Sequence, residues 1–422
     1  MALPDATRRG LWLPIHLGLA GAAGTAIASA LPFFSASLGV VGPARRSIRI
    51  AAIGLIAGGA LAVAGGVMAG GIVAGGGAAG GAFVVTAGGG VAGGAFVVTA
   101  ESLAVAGGLA YLAGLVAVVL AVFGPFVAAN RVRQPLLLAA YGVAIADVLV
   151  GVVLATGLLA GDSAIAGNWL RLKPAHGWLN VFGFLSLIVA ATLVHLAPTI
   201  AGTRIVPRRS ALVLLAGLGA GAPLVALGFA LGSDPIARLG ALFELAGAIA
   251  LVIHAVAVQR AHGNWTTDPA WHRMIAGSLI AGPGWLLGAM LIGAGRVLWL
   301  GSDPAAWTLT LVAAPLAIGW IVQVLIGAWS HLLPAVGPGD RAAHSRQRVI
   351  LGWAATPRLL ALNLGVGLVV AAEIAGPGAG WPNSLGMTLG IALGAAALAA
   401  GIATFALAAR LGLASGGGRV RS

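Results

Sequence analysis

Residues 176–198 read His-Gly-Trp-Leu-Asn-Val-Phe-Gly-Phe-Leu-Ser-Leu-Ile-Val-Ala-Ala-Thr-Leu-Val-His-Leu-Ala-Pro, with no charged side chain between His176 and His195. A helix rises 1.5 Å per residue, so those two histidines stand roughly 28 Å apart along one axis. That is close to the thickness of a bilayer's hydrocarbon core, about 30 Å. The stretch therefore reads as a membrane-spanning helix with a histidine near each end. Two side chains so far apart on one helix cannot share a metal.

Ten further apolar runs of similar length flank it. The full set lies near 11–33, 50–73, 102–124, 135–160, 176–199, 210–232, 237–259, 273–296, 307–333, 357–376 and 384–409. Composition agrees: 60% of the 422 residues are hydrophobic and 8% are charged. A soluble domain carries about 25% charged residues, so polar surface is too scarce here to coat a soluble body. The 68 glycines follow no three-residue period, which excludes collagen. With no cysteine, the chain forms no disulfide, thiolate metal site or iron–sulfur cluster. The predicted fold is an all-α polytopic transmembrane helix bundle of about 11 spans, one membrane domain over 1–422. Its partner is the lipid bilayer, and its expected location is a bacterial plasma membrane.

The net charge of +13 does not indicate nucleic acid. Lys173 is the only lysine, and the arginines fall in short groups between apolar runs. Loop cations orient membrane proteins. An outside N-terminus places Arg45, Arg46, Arg49, Arg131, Arg133, Arg204, Arg208, Arg209, Arg260, Arg273, Arg341, Arg346, Arg348, Arg358, Arg410, Arg419 and Arg421 on the inner side. Only Arg8, Arg9, Arg171, Lys173, Arg238 and Arg296 then lie outside. The 17 to 6 split predicts the N-terminus outside and the C-terminus in the cytoplasm. Arg8 and Arg9, with Ala28-Ser29-Ala30 behind an apolar run, also fit a signal peptide. The length of the first run favours a span.

Residues 74–101 are a Gly-rich insertion with a direct duplication: the octet from Gly80 to Ala87 recurs from Gly93 to Ala100. It reads as a loop, a re-entrant segment or a twelfth span. A longer repeat is more informative. Gly183-Phe184, Ala191 and His195-Leu196-Ala197-Pro198 match Gly319-Trp320, Gly327 and His331-Leu332-Leu333-Pro334 at identical offsets. His16 opens the first run as His176 opens the fifth. Runs one, five and nine are then equivalent, giving a pseudo-threefold arrangement of four-helix units near 11–160, 170–297 and 306–410. Within a helix a glycine-aromatic pair lets a neighbour approach closely.

These motifs resemble subunit I of haem–copper oxidases and nitric oxide reductases. The likeness is nearest to degenerate actinobacterial members associated with copper nitrite reductase. His16-Leu17-Gly18-Leu19-Ala20-Gly21-Ala22-Ala23-Gly24-Thr25-Ala26 is similar to the family's second helix, whose histidine binds low-spin haem. Ala175-His176-Gly177-Trp178-Leu179-Asn180-Val181-Phe182-Gly183-Phe184 is similar to the His-x-x-x-Asn-x-x-Gly-Trp segment of the degenerate members. The resemblance implies haem b or copper at His16 and His176, and a role accessory to respiratory or denitrifying electron transfer. A copper nitrite reductase or another electron-transfer protein is the implied partner. The active site is incomplete. Val312, Ala314 and Leu316 stand where the family has its tenth-helix His-x-His pair, and no adjacent histidines follow the fifth run. Oxygen or nitric oxide reduction is therefore not expected.

Ionisable residues at membrane depth are costly and mark functional sites by default. His16, His176, Glu101 and Glu244 fall in the outer half of the frame, with Asp147 near the midplane. Asp147, Glu244 and Glu101 are candidates for a proton or solute path. His195 and His331 stand before Leu-x-Pro exits and read as helix-end residues. Trp178, Trp285, Trp320 and Trp329 read as packing or interface residues. Two alternatives stand beside the redox reading: a cofactor-free small-solute transporter, and a membrane scaffold for a copper enzyme.

Overall fold

The computed structural model describes residues 12–39, 41–74, 82–85, 96–129, 134–204, 207–263, 265–376 and 380–416. Eleven helices among them are long and apolar enough to cross a membrane. In chain order they are Trp12–Ser37, Arg46–Ala69, Ala100–Ala129, Pro135–Leu159, Trp169–Ala201, Arg208–Leu231, Asp234–Arg260, Pro269–Leu300, Pro304–Val336, Ala355–Ala375 and Asn383–Ser415, below called the first to eleventh spans. The protein is an all-α multi-pass helix bundle, as the apolar runs predict. Arg8, Arg9, Arg131, Arg133, Arg419, Arg421 and most of the Gly-rich insertion lie outside the described residues. Of that insertion, β1 (Ala82–Val85) and β2 (Phe96–Thr99) pair antiparallel, with Ala82 opposite Thr99. The pairing joins the two copies of the duplicated octet.

The chain forms two compact units. One holds residues 1–188 and 225–232, the other 189–224 and 233–422. In the first unit glycines set the contact between the second and third spans. A Cβ at Gly59 would stand 2.7 Å from the Gly107 carbonyl oxygen, and one at Gly107 would stand 2.6 Å from the Val63 nitrogen. Packing in lipid relies on such close backbone approach, because burying apolar surface gains little there. In the second unit a Cβ at Gly217 would stand 2.8 Å from Gly247, joining the sixth and seventh spans.

The first, fifth and ninth spans each widen into a π-helical stretch of eight residues, at His16–Ala23, Leu179–Ser186 and Pro315–Val322. The last two begin at the same offset before Gly183 and Gly319, so the sequence repeat is matched by a backbone repeat. A π stretch shifts the hydrogen-bond ladder by one residue and leaves carbonyls to other donors. One is taken up locally, where the Ser186 hydroxyl donates to the Val181 oxygen at 3.0 Å. Another is taken up from the third span, where the Tyr111 hydroxyl donates to the Ala20 oxygen at 3.1 Å.

Candidate functional site

Sorting the acidic residues by structural role isolates two. Asp162, Asp303 and Asp340 cap helix N-termini through Ala164, Ala305 and Ala343. Asp234 binds the Ser302 backbone N–H and hydroxyl, and Asp268 pairs with Arg348 at 2.6 Å. Glu101 is exposed in the first turn of the third span, where a carboxylate complements the helix dipole. Glu373 is half-buried at the end of the tenth span, and Asp147 and Glu244 are buried inside spans. They belong to different compact units.

In the first unit His16 and His176 come together. Their ring centroids are 6.5 Å apart with planes 13° from parallel. Trp12, one turn before His16, stacks on it at 4.2 Å and 22°. Trp169 stands 6.0 Å from His176. His16 Nδ1 lies 2.8 Å from the Trp12 oxygen, and His176 Nδ1 lies 2.8 Å from the Gly151 oxygen of the fourth span. A carbonyl only accepts, so both Nδ1 atoms carry the proton and both Nε2 atoms are left with lone pairs. Asn180, one turn after His176, has its Nδ2 3.2 Å from the His176 Nδ1 and donates to the His176 carbonyl at 2.6 Å. Of the polar residues at comparable depth, Asn180 is thus the neighbour of His176.

Asp147 continues this line into the span. It lies one turn before Gly151 on the fourth span, and Gly183 of the π stretch faces it. A Cβ at Gly183 would collide with the Asp147 carboxylate, and one at Gly151 would collide with the Asn180 amide. The two glycines therefore make room for polar side chains between the fourth and fifth spans. Asp147 is 5% exposed, and its Oδ2 has no hydrogen-bond partner among the described residues. His16, His176, Asn180 and Asp147 form a polar column beside two π stretches. In the second unit Glu244 is fully buried, and a Cβ at Gly221 would stand 2.7 Å from its Cγ.

The other histidines have different surroundings. His254 is buried, with Nδ1 3.1 Å from the Ser210 hydroxyl. His195 is half-buried near the end of its helix. Rings alternate in the second unit: His262, Trp265 and His272 stack at 4.1 and 4.8 Å, Trp271 tilts beside His272 at 4.7 Å, and His331 stacks on Trp271 at 5.8 Å. The sequence reads His331 as a helix-end residue and does not join these histidines to the tryptophans. The signal available was short spacing, as in Trp12 to His16 and His262 to Trp265.

No group of three or more His, Asp or Glu residues suited to one metal ion occurs among the described residues. Comparison with protein-family models, with curated proteins and with solved structures finds no match to this chain.

Proposed function

We propose that this membrane protein holds haem b or copper between His16 and His176 and serves as an accessory to respiratory or denitrifying electron transfer. The observation that supports it is the paired imidazoles. The two rings stand 6.5 Å apart with planes 13° from parallel, and with both Nδ1 protons engaged each Nε2 keeps its lone pair for a metal. His16 and His176 would be the residues that hold the group, since imidazole is a good ligand for both iron and copper. Bound there, either group would supply one-electron chemistry. The chain's own part is to fix both tautomers through the Trp12 and Gly151 carbonyls, to pack the Asn180 amide beside the His176 ring, and to flank the rings with Trp12 and Trp169. We place the N-terminus outside on the charge split, in a bacterial plasma membrane, which sets His16 and His176 towards the outer face.

The test is the purified protein's absorption spectrum with its iron and copper content. A Soret band or stoichiometric copper that disappears in the His16→Ala, His176→Ala double variant supports the reading. Protein free of both metals after expression with haem and copper supplied rejects it. A transporter is the second reading, favoured by the unpartnered Oδ2 of Asp147. It predicts solute-coupled proton movement that Asp147→Asn abolishes.

A further inference from the structure

One face of the ninth span concentrates buried polar atoms that no mechanism above uses. Trp320, Gln323 and Ser330 are at most 1% exposed. The Trp320 Nε1, both side-chain amide atoms of Gln323, the Ser330 hydroxyl and the His331 Nδ1 have no hydrogen-bond partner among the described residues. At 100° per residue these positions fall within one stripe of the helix. The eighth span faces that stripe with Ser278, fully buried and equally unpartnered at its hydroxyl. Gly327 seats Ser278 between Gln323 and Ser330, since a Cβ there would stand 2.9 Å from the Ser278 Cβ. One turn further along, Gly282 makes room for Val324 and leaves Trp320 in ordinary contact, with a Cβ there 3.5 Å from the indole.

Each such atom left bare in a low-dielectric interior costs on the order of 1–3 kcal/mol. Five side chains of this kind in a row are not a packing accident. Their set is neutral and mixed, with donors on the indole and amide and acceptors on the amide and hydroxyls. That is the chemistry that binds water, which needs two to four polar partners.

We propose that the eighth and ninth spans enclose a file of buried waters running from His331 to Trp320, through which the Trp320 indole N–H exchanges its proton with the solvent. The file extends over the 11 residue steps from Trp320 to His331, roughly 16 Å along the helix. Its entrance is His331, which takes a proton on one ring nitrogen and releases one from the other. The serine hydroxyls and the Gln323 amide orient the waters that carry it inward. Trp271 anchors this end by donating to the Ser330 oxygen at 2.7 Å while its ring stacks on His331. The titratable and charged groups around His331 are His272 beside Trp271, Arg348 over the Trp271 ring at 5.8 Å, and Asp268 paired to Arg348. The file lies in the second unit and does not depend on a cofactor at His16 and His176.

The test is hydrogen–deuterium exchange of the Trp320 indole N–H, followed by nitrogen-15 tryptophan spectra of the full chain in nanodiscs. A dry indole at 0% exposure exchanges only when the core opens. The file predicts exchange within minutes, slowed about tenfold or more in both His331→Phe and Gln323→Leu. Ser278→Ala, the mildest change, should slow it less. Phenylalanine keeps the stack on Trp271, so loss of folding is read separately from the spectrum of the other indoles. Protection of Trp320 equal to that of the slowest core amides, or unchanged exchange in all three variants, overturns the proposal.

Discussion

Asp147 occupies the space that any side chain at position 183 would need: a Cβ on Gly183 would come within 2.8 Å of its Cγ and 3.0 Å of its Cβ. The same relation recurs in the second unit, where a Cβ on Gly319 would come within 2.7 Å of the Trp285 Cβ. Both glycines lie at the centre of a π stretch, and both receive a side chain from the preceding span. A widened helix and a missing Cβ together let a bulky or polar group enter the interface. One copy uses the opening for a carboxyl, the other for an indole.

Gly183→Ala should destabilise the folded protein by about 1–3 kcal/mol, the usual cost of overpacking. Adding Asp147→Ala should recover most of that loss, because the clash is with the aspartate itself. Thermal unfolding of the four members of this cycle in one detergent measures the coupling. Additive losses would mean that the two residues do not meet.

At the equivalent place in the second unit, the Trp285 Nε1 donates to the Asn363 Oδ1 at 2.6 Å, and the Asn363 amide donates to the Leu359 oxygen at 2.7 Å. Asn363→Leu leaves the indole N–H without its acceptor. The expected loss is about 1–3 kcal/mol, readable as a shift in the unfolding midpoint. The indole fluorescence of Trp285 should shift with it.

The orientation can be tested without purification. The 17 to 6 division of cations puts the loops after the first and ninth spans in the cytoplasm. Reporter fusions at Leu38 and Gly337 should both read cytoplasmic. A periplasmic signal at either position inverts the frame.

The spans were legible because the bilayer sets one length scale, and the apolar runs of the sequence meet it. The pairing of His16 with His176 was only partly legible. Their equivalent places in the repeat put both at one depth, but the partners of each ring depend on interhelical contacts. The Gly151 carbonyl and Trp12 carry no motif of their own. The π stretches were not legible at all, since a one-residue shift in the ladder is decided by what packs against the helix. Glu101 looked like Glu244 in sequence; its place in an exposed first turn follows from where the helix begins after β2, and the Gly-rich insertion gives no clear start signal.

Purified protein should not reduce oxygen or nitric oxide at appreciable rates. On the resemblance to oxidase subunit I, Val312 and Leu316, both buried, stand in the places of its tenth-helix histidines. Gas-electrode assays with a chemical reductant check this. Robust turnover abolished by His176→Ala would overturn the assignment of an incomplete centre.

Gly151 acts on His176 twice, and the two contributions should prove inseparable. Its carbonyl accepts from the His176 Nδ1, and its missing Cβ leaves room for the Asn180 amide that sits 3.2 Å from the same nitrogen. Gly151→Ala keeps the carbonyl but pushes Asn180 away; Asn180→Ala removes the amide and keeps the space. Partners that orient a ligand histidine are typically worth about 10–100-fold in metal affinity. On the proposed function, each single variant alters the packing beside the His176 ring and should weaken haem or copper retention by roughly tenfold. Because both act through the orientation of one ring, the double variant should be little worse than either alone. Titration of the metal-free protein, read by the absorbance of the bound group, gives the three affinities. Multiplied losses in the double variant would show that Asn180 and Gly151 affect the site by separate routes, and Asn180 would then lose its positioning role.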